Sequence, residues 1–328
     1  MDSVLGRKSA KCSVGVVLLD LDNTLYDWLG FFGPAMRGLC TRLGELSGVS
    51  ASILYDDFKT VFSAHGSVEY TFALQELPSL RRLHPESSGP EIVHQYFGAV
   101  ELYQSRRRRY LRLYGGVRSG IQAIRSLGIR VVAVSDAHRF HVVNRLKQLR
   151  IIDELDAVCC VPDLPGIDAA EISAIRRFPS ERYSTTAAWE LPLPAGIRKP
   201  DPHLLRWLLS ELEVAPELTL YVGDSLLKDI PMAQQADVYD CWAAYGTHYS
   251  PLDMATLVRV TNWPPKAVEA ALNATPEKLG IHPNSTALCF ADVLDLVTTP
   301  REKWPRGAHS STPHTQLAFD FGAEASTA

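Results

Sequence analysis

The chain has 328 residues, 46% of them hydrophobic, with 33 basic against 37 acidic side chains and a formal net charge of -4. That is apolar material for one large globular domain or two smaller ones, and the mild acidity does not suit a protein that coats nucleic acid. Six cysteines, Cys12, Cys40, Cys159, Cys160, Cys241 and Cys289, have neither CxxC nor Cys/His spacing, so they suggest no zinc site and no disulfide framework and fit a reducing cytoplasm.

Residues 1–13, with Arg7, Lys8 and Lys11, read as a short disordered leader. The apolar run that follows is too short for a signal or membrane-spanning segment, so no membrane partner is expected. Val16, Val17, Leu18 and Leu19 predict a buried strand that stops in carboxylates, Asp20 and Asp22 of LLDLDNTLYD. Carboxylates at the end of an apolar strand are costly unless a cation compensates them. A turn using Asp and Asn for local backbone hydrogen bonds would place the same residues there.

From Phe31 to about Arg112 the period becomes helical: Phe32, Met36, Leu39, Leu43 and Leu46, then Leu54, Phe58, Val61 and Phe62, then Ile92, Tyr96, Ala99 and Tyr103. The arginines of RRRRYLR, Arg106 to Arg112, spread around the helix circumference and read as a solvated face rather than a second phosphate site. After Gly115 and Gly116 the pattern alternates. A helix is predicted over 117–127, a strand over 131–134, a helix opened by Asp136-Ala137-His138 and running to about Leu149, and a short strand over 156–161. Prolines at 162, 165, 179, 192 and 194 mark 162–196 as an irregular insertion or long loop. A helix over 202–212, a strand over 218–222, a helix from about Lys228 and a strand over 238–244 then close the series. Helices are expected over 254–260, 265–272 and 290–297, before a polar, disordered tail over 299–328.

Alternating strands and helices predict an α/β fold, a doubly wound parallel sheet whose ligands bind beyond the carboxyl ends of the strands. The helical block, 28–112, interrupts it as an inserted cap, leaving 14–27 and 113–298 as the core. Strand ends then collect the polar groups: Asp20, Asp22 and Thr24 after the first, Ser135 after the second (VVAVSDA), and Asp224 and Asp229 after the fourth (YVGDSLLKDI). Lys199, before Pro200-Asp201-Pro202, sits at a turn on the same edge. Each alone has an ordinary reading: Ser135 as a helix cap, Lys199 as an exposed turn lysine, Asp229 as a residue favoured at a helix start.

These signatures in this order resemble the haloacid dehalogenase-like (HAD) hydrolase superfamily: Asp-x-Asp-x-Thr, Ser or Thr, Lys, and Gly-Asp-x-x-x-x-Asp, across roughly residues 14–246 by motif and context. The resemblance implies a Rossmann-like core with a helical cap between the first and second signatures, and Mg²⁺ as cofactor. Asp20 is then the nucleophile that forms an aspartyl phosphate, and Asp22 the general acid and base. Asp20, the Asp22 carbonyl and Asp224 would hold the metal, with Asp229 fixing a metal-bound water or a ligand. Ser135 and Lys199 would bind phosphate oxygens, Lys199 also balancing Asp20.

Asp22 points to phosphate esters, because the dehalogenases of the family lack this second aspartate. The string DNTLY, Asp22 to Tyr26, is similar to nucleotide and flavin-mononucleotide phosphatases, whereas a sugar phosphomutase with this cap would read Asp-Gly-Val. The phosphonate-cleaving branch needs a cap lysine, and Lys59 is the only lysine between Asp27 and Arg112. His65, beside Gly66 in a cap turn that resembles that of the nucleotidases, is a candidate substrate contact. The expectation is a Mg²⁺-dependent phosphatase, monomer or homodimer, acting on a small phosphomonoester such as a nucleotide, flavin mononucleotide, phosphoglycolate or a sugar phosphate. The alternatives are a phosphomutase and a catalytically silent binding or regulatory protein, the latter having no use for Asp22.

Overall fold

The computed structural model describes residues 14–163, 189–261, 263, 267–268 and 274–299. Val16, Val17, Leu18 and Leu19 have no exposed surface, as expected of a strand covered on both faces. They form β1 (Val16–Asp20), the middle of a parallel sheet with β2 (Arg130–His138), β3 (Ala157–Val161), β4 (Trp189–Pro192), β5 (Thr219–Gly223), β6 (Tyr239–Ala243) and β7 (Ser285–Ala287). The order is β4-β3-β2-β1-β5-β6-β7, so the chain builds outward from β1 on one side, then returns to β5 and builds outward on the other. The switch point is the β1/β5 boundary, where such sheets open a crevice at the strand ends.

Side chains alternate between two apolar layers. Val17, Leu19, Val131, Ala133, Leu220 and Val222 face α7 (Val117–Ser126), α8 (Arg139–Gln148) and α13 (Phe290–Thr298). Val16, Leu18, Val132, Val134 and Tyr221 face α9 (Pro202–Glu211) and α10 (Asp229–Gln235). Between β1 and α7 come six helices: α1 (Trp28–Ser47), α2 (Ala51–His65), α3 (Ala73–Glu76), α4 (Pro78–Leu83), α5 (Gly89–Gln95) and α6 (Phe97–Tyr110). Their two connections to the sheet run side by side: Tyr114 N–H donates to the Leu25 carbonyl at 3.0 Å, and Asp27 N–H to that of Arg112 at 3.4 Å.

Several expectations need correction. β2 continues through His138, so α8 begins at Arg139 rather than Asp136; pairing with β3 resumes at His138 after an irregularity beyond Ser135. The 162–196 insertion contains β4, which pairs in parallel with β3 and extends the sheet; residues 164–188 lie outside the described residues. The strand at 239–243 does not close the series, because β7 pairs beyond it, and Ser285–Ala287 is too short and polar to show in a hydrophobicity pattern. The stripe Ile92-Tyr96-Ala99-Tyr103 is divided at Tyr96 between α5 and α6. A short α12 (Pro276–Leu279) was not anticipated. The leader, the tail from residue 300 and most of the helix expected over 265–272 fall outside the described residues.

The segment after β6 grips the cap. α11 (Pro251–Val260) lies against α1 and α2, with Arg37 of α1 paired to Asp253 at 2.7 Å and donating to Thr256 at 2.9 Å, and Arg259 donating to Ser52 at 3.1 Å. Among the described residues no helix is long and apolar enough to cross a membrane, and Cys40, Cys159, Cys160, Cys241 and Cys289 are free thiols.

Candidate active site

Sheet register sets the site. Asp20 pairs with Val134, so Ser135 stands one residue beyond it on the neighbouring strand; Leu19 pairs with Val222, so Asp224 follows Gly223 just past the end of β5. The loop after β1 turns sharply because Asn23 takes a left-handed conformation, φ 60°, which Asn tolerates better than most residues. Its side chain then accepts from Trp28 N–H at 3.2 Å, and Asp27 accepts from Gly30 N–H at 2.7 Å, so the loop caps α1 directly.

Lys199 joins the strand ends. It is 7% exposed, its Nζ lies 2.5 Å from Asp20 Oδ1 and 3.0 Å from Asp229 Oδ1, and its backbone N–H donates to Asp136. The reading of Lys199 as an exposed turn residue is thereby excluded. Asp229 also accepts from Tyr221 Oη at 2.7 Å and from Ser225 N–H at 3.0 Å. It approaches so closely that a Cβ on Gly223 would stand 2.4 Å from its carboxyl carbon. Ser135 is buried and its Oγ accepts from Ala137 N–H at 3.1 Å, a local bond within β2 rather than a helix cap, at the point where the pairing with β3 becomes irregular. Thr24, fully buried, supports the loop, its carbonyl accepting from Tyr245 Oη at 2.8 Å.

Oxygens of Asp20, Asp224 and Asp229 lie within 4.8 Å of one another. Burial raises the Asp20 carboxyl to about 7, with Asp229 and Asp22 adding to the rise and Lys199 opposing it. Asp224 is driven well above the usual carboxylate range by burial and then by Asp20 and Asp229. Three carboxylates with one lysine among them leave negative charge uncompensated in a buried place, and the donors are all hard oxygens. That set fits Mg²⁺. Asp20 and Asp224 would be the carboxylate ligands, whereas both oxygens of Asp229 are already engaged, which fits a supporting role. The Asp224 carbonyl accepts from Trp242 Nε1 at 2.8 Å and its Oδ2 from Tyr249 Oη at 3.4 Å. At Gly246 a Cβ would fall 1.7 Å from the Asn23 carbonyl oxygen, so only glycine lets this turn close over the loop after β1.

The Asp22 carboxylate has different company. Arg145 of α8, 2% exposed, holds both its oxygens through Nη1, at 3.0 and 3.3 Å, and binds Glu69 through Nη2. Arg107 of α6 reaches the same Glu69 oxygen at 3.3 Å. Burial raises Asp22, Arg145 lowers it and Glu69 raises it, leaving it above the ordinary value. Burial would raise Glu69 too, but Arg145, His141 and Arg107 hold it down to about 2. Burial pushes the His141 imidazole down to about 3, and its Nε2 lies 3.0 Å from the Glu69 carbonyl.

A cavity of 490 Å³ under the cap is lined by Phe31, Phe58, Tyr70 and Tyr103 and reaches Glu69 and Arg145. His65 lines it as well, stacked on Tyr70 at 3.5 Å and bonded to Glu76 at 2.7 Å, away from the Asp20 cluster. The arginine run is not a uniformly solvated face: Arg107 packs on Phe31 and Tyr103, and Arg106 donates to the Pro34 carbonyl at 2.9 Å, while Arg108 and Arg109 are exposed. Sequence reasoning missed Arg145, Glu69 and Tyr249. The available signal was Arg145 itself, an arginine in the same stripe as Val142 and Leu146 on the buried face of its helix. Glu69 and Tyr249, in irregular segments, had none.

A family model described as haloacid dehalogenase-like hydrolase matches residues 14–237. Among solved structures, a 2-haloacid dehalogenase from Pseudomonas syringae pv. Tomato DC3000 is similar at TM-score 0.51 and 15% identity, over 87% of this chain and 98% of that one. A predicted phosphoglycolate phosphatase from Haemophilus somnus 129pt aligns at TM-score 0.45 and 17% identity, over 87% and 98%. A HAD-superfamily hydrolase, subfamily IA, from Geobacter sulfurreducens PCA aligns at 0.42 and 12%, over 87% and 97%. No curated protein matched the chain in sequence. With the model match covering well over half the chain, on a parallel sheet whose strand ends gather the same signatures, this protein belongs to the haloacid dehalogenase-like hydrolases.

Proposed function

We propose that the protein is a Mg²⁺-dependent phosphatase acting on a small phosphomonoester. The observation that carries this reading is the division of labour between two aspartates on one loop: Asp20 lies against Lys199 in the carboxylate cluster, while Asp22 lies outside it, paired with Arg145. A dehalogenase has no use for a second carboxylate placed for proton transfer.

In the first step a carboxylate oxygen of Asp20 bonds to phosphorus, the bond from phosphorus to the leaving oxygen breaks, and Asp22 gives that oxygen its proton. In the second, a water oxygen bonds to phosphorus, Asp22 takes the water's proton, and the Asp20–phosphorus bond breaks to release inorganic phosphate. Lys199 favours the ionised form of Asp20 against the effect of burial and faces the phosphoryl oxygens, and Ser135 donates to one of them. Bound Mg²⁺, held by Asp20, the Asp22 carbonyl and Asp224, would supply charge neutralisation for the phosphoryl group. The leaving alcohol would occupy the cavity under the cap, where His65 is a candidate contact.

The test is Mg²⁺-dependent release of phosphate from p-nitrophenyl phosphate, followed by a screen of nucleotides, flavin mononucleotide, phosphoglycolate and sugar phosphates. Release that requires Mg²⁺ and is lost in Asp20→Asn supports the reading; no release from any of these esters, or release that survives Asp20→Asn, removes it.

A further inference from the structure

Arg145 belongs to the core, on α8, but it is held mainly by the cap. One arm of its guanidinium meets both Asp22 oxygens, at 3.0 and 3.3 Å; the other binds Glu69, which lies between α2 and α3. Phe31 of α1 stands under two guanidiniums, that of Arg145 at 5.2 Å and that of Arg107 at 5.4 Å from its ring centre. Asp22 is the partly open member, its side chain 29% exposed against 2% for Arg145 and 10% for Glu69. The more exposed carboxylate is therefore held by a cation that is itself buried.

A planar fork restricts the direction of its partner in a way that a lysine point charge does not. The group is also balanced: Asp22 and Glu69 against Arg145 and Arg107. Two carboxylates already take up this charge, so the group is poorly suited to capture a second anionic group of the substrate, and its geometry is that of a support.

We propose that Arg145 is a positioning residue for the reaction proposed above, aiming the Asp22 carboxyl at the leaving oxygen, and that Glu69 makes this aim depend on the cap being seated. The inference rests on the phosphatase reading. When the cap moves away, Glu69 leaves with it and Arg145 loses the partner that fixes its plane; Asp22 is then no longer aimed. Proton delivery is thereby confined to the closed enzyme.

The test compares two esters that differ in how much they need an acid. p-Nitrophenolate leaves readily without a proton, whereas phenolate from phenyl phosphate does not. In the full-length protein with Mg²⁺, Arg145→Met should lower kcat/KM, which reports the first step alone, at least about tenfold more on phenyl phosphate than on p-nitrophenyl phosphate, the scale of a misplaced general acid. Arg145→Lys, which keeps the charge without the fork, should recover part of the difference. Glu69→Gln should shift kcat/KM in the same selective direction by a smaller factor. Should Arg145→Met fail to fold, the other two variants carry the comparison. Equal losses of kcat/KM on both esters across the variants, or no loss in any, overturn the proposal. A wild-type protein that releases phosphate from neither ester overturns the phosphatase reading separately, and this inference with it.

Discussion

Asp20 and Asp22 stand two residues apart on one loop, yet different parts of the chain neutralise them. Asp20 is buried among carboxylates and balanced by Lys199, which comes from a turn at the same sheet edge. Asp22 projects toward the cap and is balanced by Arg145, whose other partner, Glu69, is a cap residue. The first environment is built wholly by the core, and the second exists only where core and cap meet. In the proposed reaction a nucleophile beside a metal site needs a fixed geometry, while a proton donor that acts after the substrate is enclosed gains from being tied to the enclosure.

The sharpest way to break this contrast is at Asp20. Asp20→Asn should reduce phosphate release by at least about 10³-fold, the scale for losing a covalent nucleophile, and steady-state kinetics on p-nitrophenyl phosphate measures it. Lys199→Met comes next. It leaves Asp20 and Asp229 buried without their cation, so activity should fall by about 10²-fold or more and stability by about 3–5 kcal/mol, read from urea melts. Mg²⁺ should restore more stability to this variant than to the wild type, since the cation relieves the same repulsion; equal increments would count against a metal at the Asp20 cluster.

Gly223→Ala sharpens the comparison from the core side. The added Cβ would displace the Asp229 carboxylate, and a loss of about 1–3 kcal/mol with weaker Mg²⁺ dependence of activity is expected. Acid titration probes the cap side. Glu69, held at about 2, contributes stability that is present above its ordinary value and lost as pH falls through about 2. His141, neutral down to about 3, contributes stability that is full above about pH 6.5 and is lost as pH falls toward 3, because the unfolded imidazole takes up a proton first. Both act in one direction, against Asp20, raised to about 7, and Asp224, whose raised carboxyls take up protons in the fold first and add stability as pH falls, so the expected outcome is a difference: between about pH 6.5 and 4 the wild type should lose more melting temperature, or gain less, than His141→Gln. Identical pH dependence of the two melting temperatures from pH 7 to 4 would contradict the cap-side account.

Most of the core site was legible because its residues lie where apolar runs end. β1, β2 and β5 are buried on both faces, so their hydrophobic runs are continuous, and Asp20, Ser135 and Asp224 follow directly from the register. The family resemblance supplied Lys199 and Asp229, whose chain positions alone read as turn and cap. The edges of the sheet were not legible: Trp189–Pro192 lies in a proline-rich stretch and Ser285–Ala287 is three polar or small residues long. The cap-side group was hidden for another reason. Glu69 and Arg145 are 76 residues apart and pair only in three dimensions, so neither local propensity nor spacing could connect them. His65 illustrates the converse, a residue singled out by its turn whose partners proved to be Glu76 and Tyr70.

The claim on which everything else depends is that Asp20 carries the phosphoryl group. Wild-type protein mixed with p-nitrophenyl phosphate and Mg²⁺, quenched in acid within one turnover and mapped by peptide mass spectrometry, tests it directly. The account predicts an acid-stable, base-labile phosphate on the peptide containing Asp20, absent from Asp20→Asn. Phosphate release at full rate with that peptide unmodified, or modified at another residue, would contradict it.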